Sequence, residues 1–340
     1  MSIVAALATA ARHGVLIKGG AHLERLAGVR AVAFDKTGTL THGEPAVMTV
    51  TEHAPGLAGR AVAAAGAVES RSEHPIARAV VAEATRRGLD TAGAADVRAL
   101  LGMGAEGRWH GAHVLVGNGR LLRERGMWSA AAAAEDVRLG AAGQSAVHVA
   151  IDGQPVATLG IADRARQVAP DVVRLLHEQG IRHVAMLTGD SPEAAQAVAA
   201  AAGVHDVRAG LLPADKMTAI ADLRAAYGAV AMVGDGVNDA PALAAADVGI
   251  AMGAIGSAAA LESADIALMS DELQKIPYAV RLSRATLANI RVNVGLSIGL
   301  KVAVLVLAIG GRSTLWMAVL ADTGASVLVV ANAMRLLRHQ

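Results

Sequence analysis

The mostly apolar run 29–34 leads straight into Asp35-Lys36-Thr37-Gly38-Thr39-Leu40-Thr41, and this stretch does most to limit what the chain can fold into. A short apolar run bounded by a glycine-containing turn reads as a buried strand. At its end it delivers a carboxylate, an ammonium and several hydroxyls to one place. Open α/β sheets bind ligands at the carboxyl ends of parallel strands, and a carboxylate there can attack phosphorus to give an aspartyl phosphate. A lone strand-end Asp more often caps a turn or helix. The residues around Asp35 decide between these readings.

Similar strand ends recur further on. From residue 154 strands and helices alternate: a strand at 156–161, a helix at 168–179, a strand at 184–187 that ends in Thr188-Gly189-Asp190, and a helix at 192–202. A turn at 212–216, a helix to 226 and a strand at 230–233 then deliver Gly234-Asp235-Gly236-Val237-Asn238-Asp239. Such alternation predicts a doubly wound parallel sheet. A transferred phosphoryl group needs a nucleophile, a fixed cation, a hydroxyl or amide cradle and a magnesium ion. Asp35 supplies the first, Lys216 the cation and Thr188 the hydroxyl. Asp235 offers magnesium a hard oxygen beside Asp35 and the Thr37 carbonyl, with Asn238 and Asp239 holding the loop and the metal's waters.

Between Gly43-Glu44-Pro45, read as a turn closing the first unit, and residue 154 lies enough chain for an inserted domain. Helical periodicity at 57–68 and 75–87 and strand-like runs at 112–117 and 146–151 predict an antiparallel sheet with two helices against it; 129–140 is helical by propensity. Gly102 to Gly107 has the GxGxxG spacing but does not open a helix after a strand, so it is no dinucleotide fingerprint.

The string DKTGTLT resembles the phosphorylation signature of the P-type ATPases, ion pumps with a haloacid-dehalogenase-like phosphoryl-transfer domain, and GDGVND follows in that family's order. The resemblance implies that Asp35 is phosphorylated by ATP with magnesium, and that Lys36, Thr37, Thr188, Gly189, Asp190, Lys216 and Asn238 complete the catalytic set. Related soluble phosphatases usually carry a second Asp two residues after the nucleophile. Thr37 cannot do that acid–base work at neutral pH, so the acyl phosphate should persist. Glu69, His74, Pro75, Gly102, Gly104 and Asn118 resemble, in order and spacing, the nucleotide-binding residues of the heavy-metal pumps. Residues 5–20 are similar to the cytoplasmic exit of those pumps' ion-binding helix.

Near the carboxyl terminus, 292–309 and 314–334 are apolar and about as long as a bilayer span. Arg281, Arg284 and Arg291 precede the first, and Arg335 and Arg338 follow the second. The positive-inside rule therefore predicts a hairpin with both outer ends in the cytoplasm. Residues 1–11 are too short to span and lack the basic region of a signal peptide. Lys301 and Asp322 lie within the spans, where charges are costly unless paired or on an ion path. They predict an ion pair across the hairpin. The strings around them resemble the last two membrane helices of the zinc, cadmium and lead exporting branch, implying that Asp322 is a ligand of the cation and Lys301 helps eject it.

The expected architecture is therefore a haloacid-dehalogenase-like α/β fold: membrane-helix end and stalk (1–28), phosphorylation domain (29–45 and 155–275), inserted α+β nucleotide-binding domain (46–154), and two transmembrane helices (276–340). The expected setting is the cell membrane, with a missing amino-terminal half as partner and divalent zinc, cadmium or lead as cargo. A membrane-anchored phosphatase and a non-catalytic half are the alternatives. With 31 basic and 30 acidic residues the chain has no polyelectrolyte character, and nucleic acid is not an expected partner. It has no cysteine, which excludes disulfides and cysteine metal sites within it.

Overall fold

A computed structural model of the chain describes residues 1–236, 239–253, 258–311 and 314–338. Its strands are β1 (Val15–Ile17), β2 (Ala31–Asp35), β3 (Thr41–Glu52), β4 (Ala94–Leu100), β5 (Gly104–Trp109), β6 (Ala112–Gly117), β7 (Ser145–Ile151), β8 (Gln154–Ala165), β9 (His183–Leu187), β10 (Asp206–Arg208), β11 (Val230–Gly234), β12 (Val248–Ala251) and β13 (Ile266–Leu268). They form two sheets.

The first has the order β1-β13-β12-β11-β2-β9-β10 and is parallel except where β1 pairs β13. Every residue of β2 is buried, as a strand covered on both faces must be. Alternate residues serve two cores. Val32, Phe34, Met186 and Val233 pack under the helices Ala169–Glu178 and Pro192–Ala202. Ala31, Ala33, Leu187 and Met232 pack on the other side with Ile220 and Leu223 of the helix Pro213–Tyr227. This is the doubly wound arrangement expected, extended by an edge strand, β1, in a stretch read as helix exit.

The second sheet is antiparallel, in the order β3-β8-β7-β6-β5-β4. The helices Ala58–Glu69 and Pro75–Arg86 cover one face. They approach closely because their contact is made of small residues; a Cβ on Gly66 would lie 2.9 Å from the Cβ of Ala84. The helices Gly119–Glu124 and Ala130–Ala141 cover the other face through Leu121, Leu122 and Ala132.

Two expectations are corrected here. Residues 43–45 are not a closing turn: they lie in β3, where its register against β8 slips between Thr41 and Pro45. Residues 155–165 belong to β8 of the antiparallel sheet rather than to the parallel one. An apolar run of this length fits either kind of sheet, and the partners that β3 and β7 offer decide the matter.

A single helix, Lys275–Ile309, carries the first apolar stretch. Its foot, with Ile276, Ala279, Val280 and Leu282, is buried in the core of the parallel sheet, and large apolar side chains become exposed from Val292 onward. It therefore joins the parallel-sheet body to the apolar hairpin without a break. With Leu315–Met334 it gives the described chain two helices long and apolar enough to cross a membrane. The short helix Ser2–Arg12 is tied to the first through Asn293, which donates to Ser2, and to the turn after the second through Thr9, which donates to the Leu336 carbonyl, while Asn332 donates to Asn293 between the two.

Candidate active site

Three neighbouring strands end together. Asp35 closes β2 opposite Leu187 of β9, so Thr188 follows beside it, and Val233 pairs Phe34, which brings Gly234 and Asp235 to the other side. Parallel pairing sets these carboxyl ends level, which is why residues far apart in sequence meet here. A Cβ placed on Gly38 would stand 3.6 Å from the Cβ of Asp235, so the loop after β2 closes on the loop after β11. Gly38 takes a positive φ of 71°, which turns the loop back over the site.

Lys216 organises the charge. It sits in the first turn of Pro213–Tyr227, a helix fixed at its start by Asp215, whose carboxylate accepts from the Leu212 backbone N–H at 2.9 Å. Its Nζ donates to Asp35 Oδ1 at 2.6 Å and to Asp239 Oδ1 at 2.5 Å. Side-chain exposure is 11% for Lys216, 8% for Asp35 and 1% for Asp239, so these are charge-assisted bonds shielded from water. Burial, reinforced by Asp239, raises the Asp35 carboxyl to about 7 against the pull of Lys216. Burial raises Asp239 as well. Lys216 feels burial in the opposite sense, but the two carboxylates outweigh it and hold the ammonium charged. One ammonium thus neutralises less than the charge that Asp35, Asp239 and the nearby Asp235 bring, and the site has room electrostatically for a divalent cation.

Lys36 forms an ion pair with Asp190. That contact joins the loop after β2 to the loop after β9. Thr188 Oγ1 accepts from the Asp190 backbone N–H at 3.1 Å, which holds the hydroxyl at the strand end. A Cβ on Gly189 would lie 3.2 Å from the Leu211 carbonyl, so the backbone passes closely there. Asn238 lies outside the described residues.

The structure adds residues that no motif flagged. Arg166, just past β8, is buried and donates from Nε to the carbonyls of Thr39 and Thr41 at 2.8 and 3.1 Å. Asp163 accepts from the Thr41 hydroxyl and from the Gly43 N–H. Together they grip the loop from its outer side. The Thr39 hydroxyl is buried without a hydrogen-bond partner among the described residues. Among those residues no group of three or more His, Asp or Glu side chains could hold a metal ion by itself, so a cation here would also need backbone or water oxygen.

A second concavity lies in the antiparallel-sheet domain. Glu69, His74, Gly102, Gly104 and Asn118 line a cavity of about 510 Å³ together with Ser72. Pro75 is not among its lining residues; it begins the helix Pro75–Arg86 directly after the His74 cap. His74 Nδ1 accepts from the Ile76 N–H at 3.2 Å, which leaves Nε2 to carry the ring proton as a donor. Burial raises the Glu69 carboxyl. Asn118 caps the helix Gly119–Glu124 and donates to the Gly102 carbonyl at 3.0 Å, closing the loop that forms the rim. Gly104 is needed for the sheet itself: a Cβ would come within 2.0 Å of the Val116 carbonyl.

In the hairpin, Lys301 Nζ and Asp322 Oδ1 are 3.5 Å apart. They border a cavity of about 350 Å³ with Asn293, Ser297 and Ser326. The ion pair expected from sequence is present.

Residues 29–247 match the model of a family described as hydrolase, haloacid dehalogenase-like hydrolase. A probable cadmium-transporting ATPase of Staphylococcus aureus is 42% identical over 99% of this chain and 47% of its own length. A zinc/cadmium/lead-transporting P-type ATPase of Escherichia coli is 44% identical over 100% of this chain and 45% of its own. The crystal structure of a zinc-transporting PIB-type ATPase in the E2.Pi state superposes with a TM-score of 0.92 and 43% identity, covering 99% of this chain and 54% of that one. The chain thus spans about half the length of the relatives it matches.

Proposed function

This chain belongs to the haloacid dehalogenase-like hydrolase family, and on that premise we propose that it is the catalytic and carboxyl-terminal membrane portion of a P-type ATPase that exports divalent heavy-metal cations. The observation that carries the reading is Asp35 at the end of β2, held at 2.6 Å by a buried Lys216 that also holds Asp239. A structural carboxylate would be satisfied by one cation and does not call for a place at the open carboxyl end of a parallel strand. A nucleophile that must face a polyanionic phosphate does.

Asp35 attacks the γ-phosphorus of ATP; an Asp35 oxygen–phosphorus bond forms as the bond to the leaving ADP oxygen breaks. Lys216 faces the charge that spreads over the phosphoryl oxygens, and the Thr188 hydroxyl donates to one of them. Lys36 and Asp190 keep the two loops closed around the reacting group. Asp35, Asp235 and the Thr37 carbonyl would hold magnesium, with Asp239 beside it, and the ion would supply the positive charge that Lys216 alone leaves short. Thr37 offers no carboxylate to activate water, so the acyl phosphate outlives the transfer.

The cavity around Glu69 and His74 takes the nucleotide. His74 offers Nε2–H as a donor, and the buried Glu69 lines the wall. Gly102 and Asn118 shape the rim. In the membrane, Asp322 would meet a zinc, cadmium or lead ion, and Lys301 would act as the resident counter-cation when the ion has left. The carboxylate and the small polar cavity beside it support a cation path; the relatives' names support the choice of metals. The multi-pass setting in the cell membrane, with both sheets on the cytoplasmic side, follows from the flanking arginines. An amino-terminal half of the kind that makes up the rest of the relatives would complete the path.

The test compares Mg-ATP with a generic phosphate ester, using the purified chain in lipid nanodiscs. The expected result is an acid-stable phosphoenzyme from ATP, little steady turnover of the ester, and cadmium binding that weakens about tenfold or more in Asp322→Asn. Rapid ester turnover without a trapped intermediate would make the chain a phosphatase instead. Cadmium binding unchanged in Asp322→Asn would remove the proposed cation ligand.

A further inference from the structure

Arg166 uses its guanidinium in two directions. Toward the loop after β2, Nε donates to the carbonyls of Thr39 and Thr41, and Nη2 lies 3.4 Å from the Gly38 carbonyl. Away from it, Nη1 donates to the Asp271 carbonyl at 3.0 Å and Nη2 to the Asp271 carboxylate at 2.5 Å. Its own backbone N–H donates to the Leu40 carbonyl at 2.8 Å. The first set of contacts begins three residues after the nucleophile. The second lies four residues before the helix Lys275–Ile309, which carries Lys301 into the apolar hairpin.

The segment between is firmly attached at its far side. Leu273 and Ile276 are fully buried in the core of the parallel sheet, and the Lys275 N–H donates to the Glu272 carbonyl. A displacement of Asp271 is therefore passed on to the foot of the long helix rather than absorbed by slack chain. A guanidinium is planar, and its five N–H groups keep a fixed fork, so moving the acceptors on one edge turns the whole plane. Side-chain exposure is 6% for Arg166 and 52% for Asp271. The arginine is enclosed by its acceptors, while its partner is half-exposed at the start of the anchored segment.

We propose that Arg166 is a positioning residue that couples the loop carrying Asp35 to the foot of the long helix through Asp271. The proposal rests on the phosphoryl-transfer reading of Asp35. Occupation of Asp35 by a phosphoryl group changes the path of the backbone at 38–41; the carbonyls reorient, the guanidinium plane follows, and Asp271 transmits the change to residues 270–276.

Hydrogen exchange on the full chain in lipid nanodiscs with magnesium tests this, using beryllium fluoride as a phosphoryl mimic on the carboxylate. In the unaltered chain the mimic is expected to slow exchange about fivefold both at 36–41 and at 270–276. Asp271→Asn keeps the response at 36–41 and loses that at 270–276. Arg166→Lys, which keeps the charge without the fork, does the same and avoids the folding risk of a truncation at a buried site. A purely structural role predicts something else: exchange at 270–276 speeds up with and without the mimic, and the ratio between the two is unchanged. That ratio, retained in both variants, would overturn the coupling. If the mimic gives no response at 36–41 even in the unaltered chain, the phosphoryl-transfer reading itself falls, and the coupling with it.

Discussion

The two sheets carry two concavities of opposite character. At the end of the parallel sheet, acid and base are buried and paired at 2.5 and 2.6 Å, with Asp35 on a strand end and Lys216 and Asp239 at the starts of two helices. In the antiparallel sheet a cavity of about 510 Å³ carries an exposed His74, and among the described residues that line it the buried Glu69 is the one acidic group. Both would touch the same ATP molecule at different ends. Chemistry on phosphorus needs preorganised charge, and burying charge costs stability that only dense pairing offsets. Holding a nucleotide that must later leave needs shape and a few donors. Dense, buried charge thus sets the first concavity apart from the second, and on the proposed reading it is the reacting end.

The sharpest way to break this contrast is to remove the nucleophile. Asp35→Asn should lower phosphoenzyme formation by on the order of 10⁴-fold or more, while nucleotide affinity stays within about twofold. Equal losses in both would mean that the two concavities are not separate in function. Lys216→Met comes next. Phosphorylation should slow by about 10²- to 10³-fold at saturating ATP, again with little change in nucleotide binding, as rapid-quench and equilibrium titration would measure. The variant also leaves Asp35 and Asp239 buried without their cation, so part of the expected loss is stability, which a thermal melt separates.

His74→Ala sharpens the comparison from the other side. The dissociation constant for ATP should rise about tenfold, with the rate of phosphorylation at saturation unchanged. A fall in the saturated rate with unchanged affinity would move His74 from binding to chemistry.

The smallest effect concerns protons. The Asp35 carboxyl is raised from 3.8 to about 7 by burial and by Asp239. Between those values the folded chain binds more protons here than the unfolded one, so this carboxyl's contribution to stability falls as pH rises from 4 toward 7 in metal-free protein. Magnesium favours the ionised form. Adding it at pH 7 should release on the order of half a proton per chain, and the release should fade toward pH 9, where Asp35 is already ionised. Weakly buffered titration measures this directly. No release at pH 7 would mean that Asp35 is ionised without the metal.

The convergence of Asp35, Thr188 and Lys216 was legible in the sequence because these residues sit at strand ends or inside short, dense strings. Asp35, Thr188, Lys216 and Asp235 could each be placed by asking what a phosphoryl group requires. The paired helices Ala58–Glu69 and Pro75–Arg86 were legible from their periodicity. The assignment of β8 was not, since one apolar run serves a parallel or an antiparallel sheet equally well, and only its pairing with β3 and β7 settles it. β4 escaped because Asp96 and Arg98 interrupt Ala94–Leu100, which has no fully buried residue and so no clear apolar face. Arg166 escaped for a different reason. Its partners at the loop are backbone carbonyls, which every residue has, so nothing in the residue types announces the contact. The continuity of the long helix was hidden too, because its buried foot and its exposed apolar part follow different hydropathy rules along one helix.

The central claim is that Asp35 takes the γ-phosphate of ATP. The most direct measurement incubates the chain in nanodiscs with γ-labelled ATP and magnesium, quenches in acid, and reduces the trapped acyl phosphate with borohydride before peptide mapping. The account predicts a hydroxylamine-sensitive label and a homoserine formed at position 35. A label that resists hydroxylamine, or a reduced carboxyl at any other Asp or Glu, would contradict it.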